Sequence, residues 1–209
     1  MTPKLQDLRR QLREQFPEAH QSQPPPADLP PATGLPAFPA GAISELSPAG
    51  PATGLSLVLA HLLEKSDVES EDDRDLPLAL IDGHDSFDPA SYGSASCARL
   101  LWVRCKHGGE SLRCADLLLR DGNLPLVVLD LQLNPLPELR RIPASSWYRL
   151  RNLARRSGTT LLAFTPRPLI ACAALRLSLQ SRFSLTDLEC ARTELAITHS
   201  QQQRAARTS

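Results

Sequence analysis

Between Gly41 and Glu64 the chain reads GAISELSPAGPATGLSLVLAHLLE: an alternating segment, a Pro/Gly/Ala/Thr loop, then an apolar helical segment. That order builds a phosphate-binding loop, in which G-x-x-x-x-G-K-[ST] supplies backbone N–H groups to cradle phosphates, a lysine to neutralise them and a hydroxyl for Mg²⁺. Gly54 and Ser56 occupy the second-glycine and hydroxyl slots, and Gly50 adds a second glycine to the loop. Ala49 stands in the first-glycine slot and Leu55 in the lysine slot. The loop has the shape for phosphate without the cation. Two readings follow: a structural turn that holds no ligand, or weak nucleotide binding through loop N–H groups and the helix N-terminus. Pro51 takes one N–H donor out of the second.

The elements around this loop alternate. Ala42–Leu46 reads as a strand and residues 55–64 as the first apolar helix. Leu76–Ile81, Arg99–Cys105, Leu124–Leu129, Thr159–Phe164 and Ala174–Gln180 read as further strands. Glu110–Arg120 is a helix closed by Asp121-Gly122. A second helix, capped by Ser145 or Ser146, carries Trp147, Leu150 and Ala154 on one face and stops at Gly158. Short, continuous apolar strands alternating with helices predict an α/β fold with a mainly parallel sheet covered on both faces. Ligands of such sheets sit at the carboxyl ends of strands, where the 47–54 loop, Asp82 and Asp130 fall.

Four units are expected along the chain. Leu5, Leu8, Leu12 and Phe16 recur at helical spacing, so residues 1–16 form an amphipathic helix that docks on its own domain or on a partner. Residues 17–40, rich in proline, form a semi-rigid linker. Residues 41–190 are the core domain and 191–209 a polar tail, of which the stretch after His199 is expected to fray. The carboxylates between Asp67 and Asp75 read as a solvated loop.

Lys+Arg and Asp+Glu balance at 23 each, so the chain as a whole has no bias toward nucleic acid, and local clusters must supply any. Arg140, Arg141, Arg149, Arg151, Arg155 and Arg156 form the one candidate, read either as a solvated helix face or as a surface for DNA phosphates or an acidic partner. Tyr148 can stack bases, and Trp147 falls at core spacing. Five cysteines without C-x-x-C spacing point to reduced, mostly buried thiols rather than disulfides or zinc. The histidines show no metal-ligand spacing, and no apolar run reaches membrane length. A cytoplasmic protein is expected.

Several stretches in order resemble the RecA-like fold, and more narrowly the ImuA-type proteins, RecA-related accessory factors of bacterial translesion mutagenesis often labelled SulA-like or RecA-like. They are Thr33-Gly34-Leu35-Pro36, Gly41–Leu46, Phe87-Asp88-Pro89-Ala90-Ser91, Arg99–Cys105, Leu112–Arg120, Leu126–Asp130 and Ala173–Leu179, spanning residues 33–190. The resemblance implies a RecA-type core that assists a Y-family-like polymerase or a RecA-type filament in the SOS response to DNA damage. In an active RecA-type ATPase a strand-end aspartate completes the Mg²⁺ shell and a glutamate positions the attacking water. Asp130 matches the aspartate, whereas His84 lies where the glutamate would be. With Leu55 in the lysine slot, two elements are gone, each worth several kcal/mol of transition-state stabilisation. The expectation is a non-catalytic interaction protein with no metal or cofactor and a vestigial nucleotide site at Gly50, Gly54, Ser56 and Asp130. The alternatives are a divergent DNA-dependent ATPase or recombinase paralog using Lys65 or Lys106, and a SulA-like inhibitor of cell division. The connection from Thr165 to Cys172, with two prolines, leaves little room for a mobile DNA loop.

Overall fold

The computed structural model describes residues 34–63, 77–191 and 194–201. The expected amphipathic helix (1–16), the 17–33 part of the linker, the acidic run, Lys65 and residues 202–209 lie outside them. Seven strands are described: β1 (Ile43–Pro48), β2 (Leu78–Asp82), β3 (Leu100–Arg104), β4 (Leu126–Asp130), β5 (Thr160–Phe164), β6 (Leu175–Leu179) and β7 (His199–Gln201). They form one sheet in the order β3-β2-β4-β5-β1-β6-β7, parallel throughout except where β7 runs antiparallel to β6. The predicted α/β class, with a mainly parallel sheet, is the fold observed.

The apolar strands are continuous because both faces are buried. Leu78 and Leu80 of β2, Leu126 and Val128 of β4, and Leu162 and Phe164 of β5 face one core, which α1 (Leu55–Leu63) covers together with Leu35, Phe38 and Ile197. The intervening residues, including Ile81, Leu129 and Ala163, face a second core under α3 (Gly108–Asp121) and α5 (Ala144–Ser157). Alternation at a period of two thus sends an all-apolar run to two different cores.

Local signals set the helix ends, not always at the expected residue. His107 Nδ1 accepts from Glu110 N at 3.1 Å, which starts α3 two residues before the expected Glu110. Its end at Gly122 (φ 72°) is as expected. The caps proposed at Ser145 or Ser146 are corrected: α5 begins at Ala144 after Pro143, and both serines lie in its first turn. Proline's fixed φ starts the helix without a side-chain bond. Trp147, Leu150 and Ala154 are buried on its inner face, and Gly158 ends it in the left-handed region.

Two short helices escape the periodic reading, α2 (Ser94–Cys97) and α4 (Leu136–Arg140), each a single turn or little more. The tail is also corrected in part. His199–Gln201 is polar yet ordered, because backbone pairing with Leu177–Leu179 needs no apolar side chain.

Candidate functional site: the cleft at the carboxyl ends of β1, β2 and β4

A cleft of about 460 Å³ opens where the sequence places the ligand site, between the loop after β1 and the loop after β2. Its walls include Gly54, Leu55, Ser56, Phe87, Asp88, Tyr92 and Asp130.

The first wall is the 49–54 loop. Ala49 N donates to Leu179 O at 2.8 Å, so the chain leaves the sheet still tied to β6. Ala52 (φ 53°) and Gly54 (φ 92°) turn it through the left-handed region. A Cβ at position 54 would meet the Phe183 ring at 2.8 Å, so glycine is required there twice over. Phe183 N also donates to Ala52 O at 3.1 Å, clamping the loop from behind. The side chain in the lysine slot, Leu55, is only 4% exposed and packs in the α1 core. Ser56 is exposed at the cleft, and its carbonyl accepts from Tyr92 Oη at 3.4 Å. Gly50 is exposed and is not part of the cleft wall.

The second wall is organised by Asp82, 1% exposed at the end of β2. Its Oδ1 accepts from Ser86 N at 3.0 Å, His84 N at 3.3 Å and Ser86 Oγ at 3.4 Å. Its Oδ2 accepts from Phe87 N at 2.9 Å and Trp102 Nε1 at 3.3 Å. The 83–87 loop is wound round one carboxylate. That winding delivers Phe87 to the cleft, stacked on Tyr92 at 5.1 Å and edge-on to Trp102 at 5.3 Å. Asn134 Nδ2 holds the loop from the other side through Gly83 O at 2.9 Å. His84 points elsewhere: it is exposed and is not among the cleft's wall residues. The carboxylate in the wall is Asp88, which caps the 3₁₀ turn Pro89–Ser91 by accepting from Ala90 N and Ser91 Oγ, both at 3.0 Å.

Asp130 lies beside Asp82 in register, at the end of β4. Its Oδ1 accepts from Gln132 N at 2.9 Å. Burial pushes its pKa up to about 6; the Gln132 bond opposes the rise and the Asp82 charge adds to it.

Among the described residues that wall the cleft, none is basic. A nucleoside triphosphate brings several negative charges, and this cleft meets them with Asp88 and Asp130. Of the four residues expected at a vestigial nucleotide site, Gly54, Ser56 and Asp130 come together and Gly50 does not. No described wall residue supplies the positive charge of the missing lysine, while Ser56 and Asp130 keep the hydroxyl and carboxylate positions. No group of three or more His, Cys, Asp or Glu among the described residues is arranged to hold a metal ion, and no described helix is long and apolar enough to cross a membrane.

The arginines expected to form one surface are all exposed. Arg140 and Arg141 end α4 near the start of α5, whereas Arg155 and Arg156 lie in its last turn, roughly 16 Å along the axis at 1.5 Å per residue. Arg149 is committed to Asp116 of α3, which also accepts from Arg120 Nε at 2.8 Å. Arg151 lies 4.9 Å over the Tyr148 ring.

Sequence reasoning missed Glu45. It is fully buried in β1, and its Oε2 accepts from Arg176 Nε of β6 at 2.8 Å. Its Oε1 accepts from Leu169 N at 2.6 Å, Thr165 Oγ1 at 3.0 Å and Ile170 N at 3.1 Å. The signal was an acid inside a strand, matched by an arginine in Leu175-Arg176-Leu177, and buried charges need such partners.

No family model matches the chain, and no curated protein matches it. Among solved structures it is similar to one described as the crystal structure of the RadB recombinase, with 16% identity, a TM-score of 0.49, and coverage of 69% of this chain and 78% of that one. A likeness of this degree carries no argument about this chain and assigns no residue a role.

Proposed function

We propose that this chain is a non-catalytic, RecA-like accessory protein of the ImuA type, acting in SOS-linked translesion DNA-damage tolerance by binding a Y-family-like polymerase or a RecA-type filament. The ordered sequence motifs support the family, and one feature of the cleft supports the loss of catalysis. Leu55 is turned into the core where a lysine would face phosphate, and among the described residues the cleft walls carry carboxylates with no basic side chain to oppose them. Phosphoryl transfer rests almost wholly on placing positive charge around the γ-phosphate. The 165–170 connection, in the position of a DNA loop, is fastened by three bonds to Glu45, which agrees with a protein that does not perform strand exchange alone.

The test is a calorimetric titration of the full chain with Mg-ATP, with and without single-stranded DNA, alongside a turnover assay. No binding heat and no hydrolysis are expected, together with co-purification of a Y-family-like polymerase or a RecA-type protein. DNA-stimulated hydrolysis that disappears in Asp130→Ala would replace this reading with the divergent ATPase. Lys106, the described lysine offered for that role, is exposed beyond β3 and does not wall the cleft.

A further inference from the structure

The five cysteines are all reduced, but two of them are not independent. Cys105 directly follows β3 and is 2% exposed; its backbone N–H donates to Asp82 O at 2.8 Å. Cys114 lies in α3 and is half-buried. The Cys105 thiol donates to Cys114 Sγ at 3.8 Å, which is sulfur–sulfur contact between the end of the sheet's edge strand and the helix that covers it.

We propose that Cys105 and Cys114 form an oxidant-sensitive dithiol, a modification site at which a hydroperoxide converts the contacting thiols to a disulfide that staples β3 to α3. The geometry divides the roles. Burial, and then the bond to Cys114, push the Cys105 thiol up to about 11, so its proton stays in place. Cys114 accepts that S–H bond and is the more accessible sulfur, so it meets the oxidant. Its thiolate attacks one peroxide oxygen, the O–O bond breaks, and the departing oxygen takes up protons as water, leaving Cys114 as a sulfenic acid. The Cys105 sulfur then attacks Cys114 Sγ, its proton leaves with the sulfenic oxygen as a second water, and the S–S bond forms. Sulfur is oxidised and the peroxide reduced. A disulfide needs sulfurs about 2.05 Å apart, so closure asks each Sγ to move by about 0.9 Å. Between them lie Lys106 to Arg113, including the His107 cap, and the bridge closes that loop.

The test treats the reduced full chain with stoichiometric hydrogen peroxide, alkylates the remaining thiols and maps tryptic peptides without reduction. The expected product joins Cys105-Lys106 to the peptide Cys114–Arg120, lowers the intact mass by two hydrogens, and raises the melting temperature by several degrees, reversed by dithiothreitol. In Cys114→Ser the link is lost and Cys105 remains open to alkylation after denaturation. In Cys105→Ser, Cys114 advances to the sulfinic acid. The proposal is overturned if the unsubstituted chain carries sulfinic acid at Cys114 with no link, or if Cys97 and Cys190 oxidise while the pair stays reduced. Those two readings come from the unsubstituted chain and stand even if a variant fails to fold.

Discussion

Asp82 and Asp130 end neighbouring parallel strands in direct register, yet the chain uses them in opposite ways. Asp82 accepts from five donors and is almost wholly enclosed, so its charge is spent on winding the 83–87 loop. Asp130 accepts from Gln132 N, faces the cleft, and has a carboxyl raised to about 6. A strand-end acid is therefore not a functional residue by position. What separates organiser from candidate is the number of donors that surround it.

Substitutions sharpen the contrast. Asp82→Ala removes one acceptor group and strands buried N–H donors, so it is expected to cost about 3 kcal/mol, read as a lowered denaturant midpoint together with altered Trp102 fluorescence. An unchanged midpoint would mean that the 83–87 loop holds its shape without the carboxylate. Asp130→Asn is expected to act with the opposite sign. An acid whose folded pKa is raised binds its proton more tightly when folded, so stability is greatest below the unfolded value near 4 and is lost as pH rises through about 6. The amide escapes that loss. Its gain should be about 1–2 kcal/mol at pH 8 and should vanish below about pH 4, as urea titrations across pH would read. A gain independent of pH would assign the effect to packing. His84→Ala should change stability by less than about 0.5 kcal/mol, since the His84 contact with Asp82 is made by its backbone N–H and its side chain is exposed.

The parts legible in the sequence were those with a period or a stop. The all-apolar runs at β2, β4 and β5 announced strands buried on both faces, and Gly122 and Gly158 announced helix ends. Leu55 was found by its place in a loop of known chemistry, and Asp130 as the acid that ends an apolar strand. Edges and caps were less legible. The pairing of β7 is between backbone groups, and α5 follows a proline while serines stand one and two residues inside it. His84 shows a different limit. Aligning it with a glutamate position fixes its place in the chain but not where its side chain points, which depends on how Asp82 gathers the loop.

The Glu45–Arg176 pair reaches beyond the strands it joins. It fastens β1, β6 and the 165–170 segment to one another, so moving that segment would strand a buried carboxylate.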